Sequence, residues 1–141
     1  MITYIPFKAE HGVKIASMIS GNFLRMMEVH EKLGQSLTAL YGDEILCCGG
    51  IDPVWEGVGE AWTVNGPLTK VYPLTFHKTI ARWLKMLSRK YGLVRIQSIV
   101  DVADPMHVKW IEALGFEREG VLRKYHWGKD YAIYARIEGV R

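Results

Sequence analysis

Few side chains in this sequence are placed to do chemistry by themselves. The five histidines, His11, His30, His77, His107 and His126, share no metal-ligand spacing with one another or with the two cysteines, so no metal site is expected. Cys47 and Cys48 are adjacent. A strand would send their side chains to opposite faces and strain any bridge between them, so they read as free thiols of a reducing compartment. As acyl-accepting nucleophiles they lack a nearby base in sequence, which favours a core role. Gly57-x-Gly59 invites comparison with a dinucleotide loop, but Trp62 stands where the third glycine belongs and no helix follows.

The elements that must hold any site are easier to read. Asp104 is a good N-cap, Pro105 suits the first helical position, and Gly115 supplies a left-handed terminus, which predicts a helix over 104–114. A β-branched run over 94–100 precedes it, and the chain turns extended from Phe116. Upstream, Phe76, Ile80, Trp83, Leu84, Leu87 and Tyr91 make the buried stripe of a long helix that begins near Pro73, with Tyr72 or a neighbour as cap, and stops at Gly92. Lys78, Arg82, Lys85 and Arg89 take its other faces. Residues 2–7 form a strand that Pro6 places at an edge or an end. A helical stripe covers 10–19 until Gly21, and a second helix runs from about Asn22 to Gly34 with Phe23, Met26, Met27, His30 and Leu33 in register. Its methionines suit either an adaptable substrate-facing surface or, preferably, ordinary packing. Strands over 36–41, 44–51 and 59–65 follow, with a turn at Gly42-Asp43, a loop over 52–59 and a stop at Gly66-Pro67. Gly49 and Gly50 mark a bulge or a close backbone approach. The predicted order is β-α-α-β-β-β-α-β-α-β-β, an α/β (α+β) fold with a mixed central sheet and helices on both faces.

At 141 residues and 49% hydrophobic, the chain suits one domain over 1–141. Its net charge of +3 is far below a nucleic-acid-binding signature. The start of the chain does not read as a signal peptide and no 18-residue apolar run follows. A soluble cytoplasmic protein without a membrane partner is expected.

From the helix over 104–114 onward, the sequence resembles the GNAT superfamily of acyl-CoA-dependent N-acyltransferases. Asp104 holds the position of the family's Asn, Gly115-Phe116 falls at the expected spacing, and Glu119-Gly120 follows. Residues 121–134 are similar to the closing hairpin of the branch that acetylates ribosomal-protein N-termini. The likeness is strong over about 94–137 and elsewhere rests on element order. It implies an acyltransferase that moves an acetyl group from acetyl-CoA to a primary amine of a small molecule or protein by direct attack.

In such a fold the cofactor's arm pairs with the strand before the long helix, and its pyrophosphate sits at that helix's N-terminus, where free N–H groups and the dipole favour anions. Trp62, Thr63 and Val64 would then supply backbone partners, and Lys70, Thr75, His77 and Lys78 the phosphate contacts, with Asp104 also carried over as a cofactor residue. The N–H near Val64 would stabilise the oxyanion, Glu60 would drain the amine proton, with Asp52 and Glu56 as alternatives, and Asn65 would orient substrate or end the strand. Two departures stand out. The family's glycine-rich phosphate loop is replaced by the glycine-free stretch 68–76, and Ile111 stands where many members carry a general-acid Tyr. They favour the competing reading, a catalytically silent GNAT-fold structural or interaction protein of the kind seen in compact phage-type members. Binding of single-stranded nucleic acid by Arg123, Lys124, Tyr125, Trp127 and Lys129 is a weaker third reading. The aromatics of that hairpin would also suit a homodimer contact.

Overall fold

Alternating apolar and polar residues, punctuated by glycine, fold the first part of the chain into a meander. A computed structural model describes residues 2–16 and 21–138. The chain forms two compact units, Met1–Pro53 with Ala61–Met86, and Val54–Glu60 with Leu87–Arg141.

The first unit contains β1 (Ile2–Pro6), α1 (Ala9–Ile15), α2 (Gly21–Leu33) and β2 (Ser36–Tyr41). It also holds most of β3 (Glu44–Trp55), the later part of β4 (Val58–Asn65), α3 (Leu68–Val71) and most of α4 (Pro73–Lys90). Its strands lie in the order β1-β2-β3-β4. β1 is an edge strand paired antiparallel with β2, with Pro6 opposite Leu37, so the missing N–H of Pro6 is tolerated. Gly42 turns the chain at φ +64° into β3. The close-approach reading of the paired glycines is borne out. A Cβ on Gly49 would lie 2.6 Å from the Trp62 carbonyl oxygen, and one on Gly50 would collide with the carbonyl oxygen of Gln35. Phe7, Ala9, Met27 and Cys48 form a core against which Ile15, Phe23, Ile45, Trp62 and Val64 pack.

The second unit carries β5 (Arg95–Asp101), α5 (Pro105–Ala113), β6 (Glu117–His126) and β7 (Lys129–Ile137) in the order β4-β5-β7-β6. The early residues of β4, 58–60, run parallel to 95–97 of β5, and β7 lies antiparallel to both β5 and β6. Asp104 caps α5 as its sequence predicts, its carboxylate accepting the N–H groups of Met106 and His107, and Gly115 follows at φ +92°. Trp127 and Gly128, both at positive φ, turn β6 into β7.

Several expectations change. The first helix ends at Ile15, with Ala16 extended at ψ 138°; residues 17–19, over which it was expected to continue, lie outside the described residues. Gly21 is the first residue of α2 rather than a break before it. That helix buries Met27 and His30, with Phe23 partly buried, a row spaced four and three apart, while Met26 is 56% exposed and Leu33 is exposed as well. The loop expected over 52–59 is mostly strand, because the β-forming Val54 and Trp55 carry β3 past Pro53 to a two-residue turn at Glu56-Gly57. An additional helical turn, α3, precedes α4. In α4, Phe76, Ile80, Trp83, Leu84 and Leu87 are buried and Lys78, Arg82, Lys85 and Arg89 are exposed, as the stripe predicts, while Tyr91, also assigned to the stripe, is half-buried and follows the last helical residue, Lys90. Among the described residues no helix is long and apolar enough to cross a membrane.

Candidate functional site

The later part of β4 and the start of α4 belong to one unit, and they bring most of the predicted cofactor residues onto a continuous piece of chain. Trp62 and Val64 pack toward the core beneath α1 and α2. Thr63, one residue out of phase, faces the other way, and Asn65 is exposed at the strand's end. Gly66 then donates to the Leu46 carbonyl at 3.0 Å, and Thr69 returns both its N–H and its hydroxyl to the Gly66 carbonyl, closing α3. Tyr72 follows, its ring stacked on Tyr41 with centroids 4.3 Å apart.

Pro73 is the first residue of α4, so its lack of an N–H costs nothing. The Tyr72 carbonyl accepts from Phe76, and helix geometry leaves the N–H groups of Leu74 and Thr75 without an intrahelical carbonyl. No acidic residue occupies this first turn. Lys70 and Lys78 are exposed near it, while Thr75 and His77 are half-buried. The Thr75 carbonyl is occupied by the Thr79 hydroxyl at 2.7 Å. This donor set, with free amides, two lysines and no carboxylate in the turn, fits a phosphate-bearing ligand.

The other predicted site residues belong to the second unit. Glu60 accepts a hydrogen bond from Gln97 Nε2 at 3.0 Å. Arg95 Nε in turn donates to Gln97 Oε1, and its guanidinium forks onto Glu119 at 2.7 and 3.1 Å. Glu60 thus ends a polar chain that crosses β4, β5 and β6, with one carboxylate oxygen engaged. Asp104 is committed to the α5 cap. Ile111 is buried. His107 is a boundary residue on α5, as its helical row predicts; burial pushes its pKa below the usual value, against a smaller opposing pull from Asp104 and Asp101.

Cys47 and Cys48 are fully buried free thiols. Burial, with the neighbouring Cys48, pushes the Cys47 thiol up to about 12, and burial pushes Cys48 up to about 11 against an opposing hydrogen bond from Thr38. Neither is a nucleophile at neutral pH.

One arrangement escaped the sequence. His30 of α2 lies with Nδ1 2.7 Å from Asp52 Oδ2, close in distance although off the line of a straight N–H···O bond. The imidazole also stacks on the Trp62 indole, with centroids 3.9 Å apart and 11° between planes. Trp62 meets Phe7 edge-on at 5.2 Å. His30 reads in sequence as a member of a packing row, and Asp52 as a spare carboxylate. Their positions are 22 residues apart, and only the folded sheet brings them together.

The arrangement of strands and helices matches the GNAT fold. No protein-family model and no curated protein sequence matches the chain. Solved structures do match it. Ard1 from Thermoplasma volcanium is similar at a TM-score of 0.80 and 9% identity, covering 99% of each chain. A chimera of spermidine N-acetyltransferase SpeG from Vibrio cholerae with hSSAT gives 0.77 and 14%, over 96% of this chain and 95% of that one. The ribosomal-protein-S5-alanine acetyltransferase from Vibrio fischeri gives 0.74 and 15%, over 96% and 92%. At these identities the likeness is one of fold.

Proposed function

We propose that this chain is an N-acetyltransferase that transfers an acetyl group from acetyl-CoA to a primary amine, of a small molecule or a protein, by direct attack. The observation that carries this reading is the likeness of nearly the whole chain to structures that include named acetyltransferases. Acetyl-CoA supplies the activated acetyl thioester. The N–H groups at the start of α4, with Lys70, Thr75, His77 and Lys78, bind its phosphates, and the backbone of Trp62, Thr63 and Val64 aligns its arm. The Val64 N–H is the oxyanion donor and Asn65 orients the acceptor. Glu60, the base that the sequence favours, is engaged at Oε1 by Gln97. Two buried free thiols accord with a reducing cytoplasm, and the exposed Tyr125 and Trp127 would supply a homodimer contact.

Thermal unfolding with CoA and with acetyl-CoA tests the proposal. Ligand at a hundred times its dissociation constant stabilises by roughly 2.7 kcal/mol, so a clear rise in Tm is expected. No shift at millimolar ligand would remove the enzyme reading. Release of free thiol with an amine panel would then establish turnover. Binding without thiol release would favour the silent relative, a reading supported by the helical turn α3 in place of a glycine loop and by Ile111.

A further inference from the structure

Placing His30 beside Asp52 is an expensive way to fill a core. The His30 side chain is only 9% exposed, and the Asp52 side chain keeps 23% of its surface in contact with solvent. A leucine or phenylalanine stacked on Trp62 would bury as much surface without desolvating a carboxylate. The stack explains the ring; it leaves the carboxylate unexplained. Among the described residues, no other histidine lies within ion-pair distance of a carboxylate. The Asp52 oxygen 2.7 Å from Nδ1, although not aligned as a hydrogen bond, favours by its charge the tautomer with the proton on Nδ1, which makes Nε2 the basic nitrogen. Stacking on Trp62 ties that base to the same stretch of β4 that is proposed to meet the thioester. Glu60, the residue favoured from sequence, lies in the other unit and already accepts from Gln97.

We infer that His30, in place of Glu60, takes the proton of the acceptor amine, with Asp52 as its positioning residue; this rests on the acetyltransferase reading. The amine nitrogen bonds to the thioester carbonyl carbon and the C–S bond breaks. The proton shed by nitrogen passes to His30 Nε2 and on to the departing thiolate, leaving an amide and a free thiol. No electrons are exchanged with a third reagent.

The first test needs no ligand. In the free protein, nitrogen NMR of the imidazole should show His30 with its proton on Nδ1 and a bare Nε2, and Asp52→Asn should abolish that preference. The second test is kinetic. His30→Asn sets an amide N–H where Nδ1 stands, so it keeps a donor for Asp52 and removes the base. It should lower kcat by about 10²–10⁴-fold while leaving CoA affinity by calorimetry and the KM for acetyl-CoA unchanged. Asp52→Asn should lower kcat by a smaller factor. Should His30→Asn fail to fold, as judged by its melting transition, the tautomer measurement and Asp52→Asn decide the matter. Near-wild-type kcat in His30→Asn, or a proton found on Nε2 in the free protein, overturns the inference and leaves the transferase reading standing. Wild-type chain that neither binds CoA nor releases thiol sinks the transferase reading and this inference with it.

Discussion

Tyr72 lies flat on Tyr41, with ring centroids 4.3 Å apart and planes 8° from parallel. The pair ties the junction between α3 and α4 to the end of β2, and Tyr72 is the residue immediately before Pro73. An offset-stacked aromatic pair contributes about 0.5–1.5 kcal/mol beyond its area. Tyr41→Leu is therefore expected to lower unfolding free energy by about that amount in urea titration. It should also weaken CoA binding, because the first turn of α4 loses its anchor. Unchanged CoA affinity would show that this junction does not shape the phosphate site.

Lys70 and Lys78 are exposed, so each should contribute on the scale of a solvent-screened ion pair, about 0.5–1 kcal/mol. Lys70→Ala and Lys78→Ala are expected to weaken CoA binding by about two- to fivefold each, on that scale. The loss should shrink as salt rises, since the charges sit in water. Calorimetry at two salt concentrations checks both points.

Gly49→Ala should be destabilising out of proportion to its single methyl group. The added Cβ meets the Trp62 carbonyl oxygen at 2.6 Å and the Trp83 ring at 3.1 Å, and neither a paired strand backbone nor a buried indole gives way freely. Overpacking of this kind costs about 1–3 kcal/mol. A lowered urea midpoint at unchanged slope is the expected result.

The two buried thiols set an alkaline limit. A thiol whose folded pKa is raised is favoured as the neutral form, so its contribution is whole below the unfolded value of about 9. That contribution is lost as pH rises through about 11 for Cys48 and about 12 for Cys47. Stability should therefore fall above pH 9, and Cys47→Ala with Cys48→Ala should flatten that fall. In the folded protein at pH 8, a thiol reagent should react only as fast as the chain opens.

What the sequence discloses here is local, and what it conceals is long-range. The signals for α5 lie within a dozen residues. Asp104, Pro105 and Gly115 each dictate a backbone geometry, and the helix forms between them. The α4 stripe is readable for the same reason, whereas the β6–β7 hairpin is expected from the family resemblance. The short helix α3 carries no such signal: Thr69 and Val71 are β-branched, and its turn closes through the Thr69 hydroxyl on the Gly66 carbonyl, a bond no periodicity announces. β3 runs past Pro53 because pairing outweighs the local break. At the candidate site, the residues assigned to β4 and α4 share one continuous piece of chain, so their placement together follows from the two elements alone. The pairing of His30 with Asp52 was not, since it depends on α2 crossing the strands at one particular height.

Trp127 turns the β6–β7 hairpin at φ +56°, with 75% of its surface exposed. A bulky L-residue in that region gives up roughly 1–2 kcal/mol relative to its relaxed backbone, which asparagine in the same corner largely avoids. Trp127→Asn is accordingly expected to raise the melting temperature, an unusual gain from deleting an indole. The hairpin tip is thus the place where this molecule has forgone cheap robustness to keep a large ring on display.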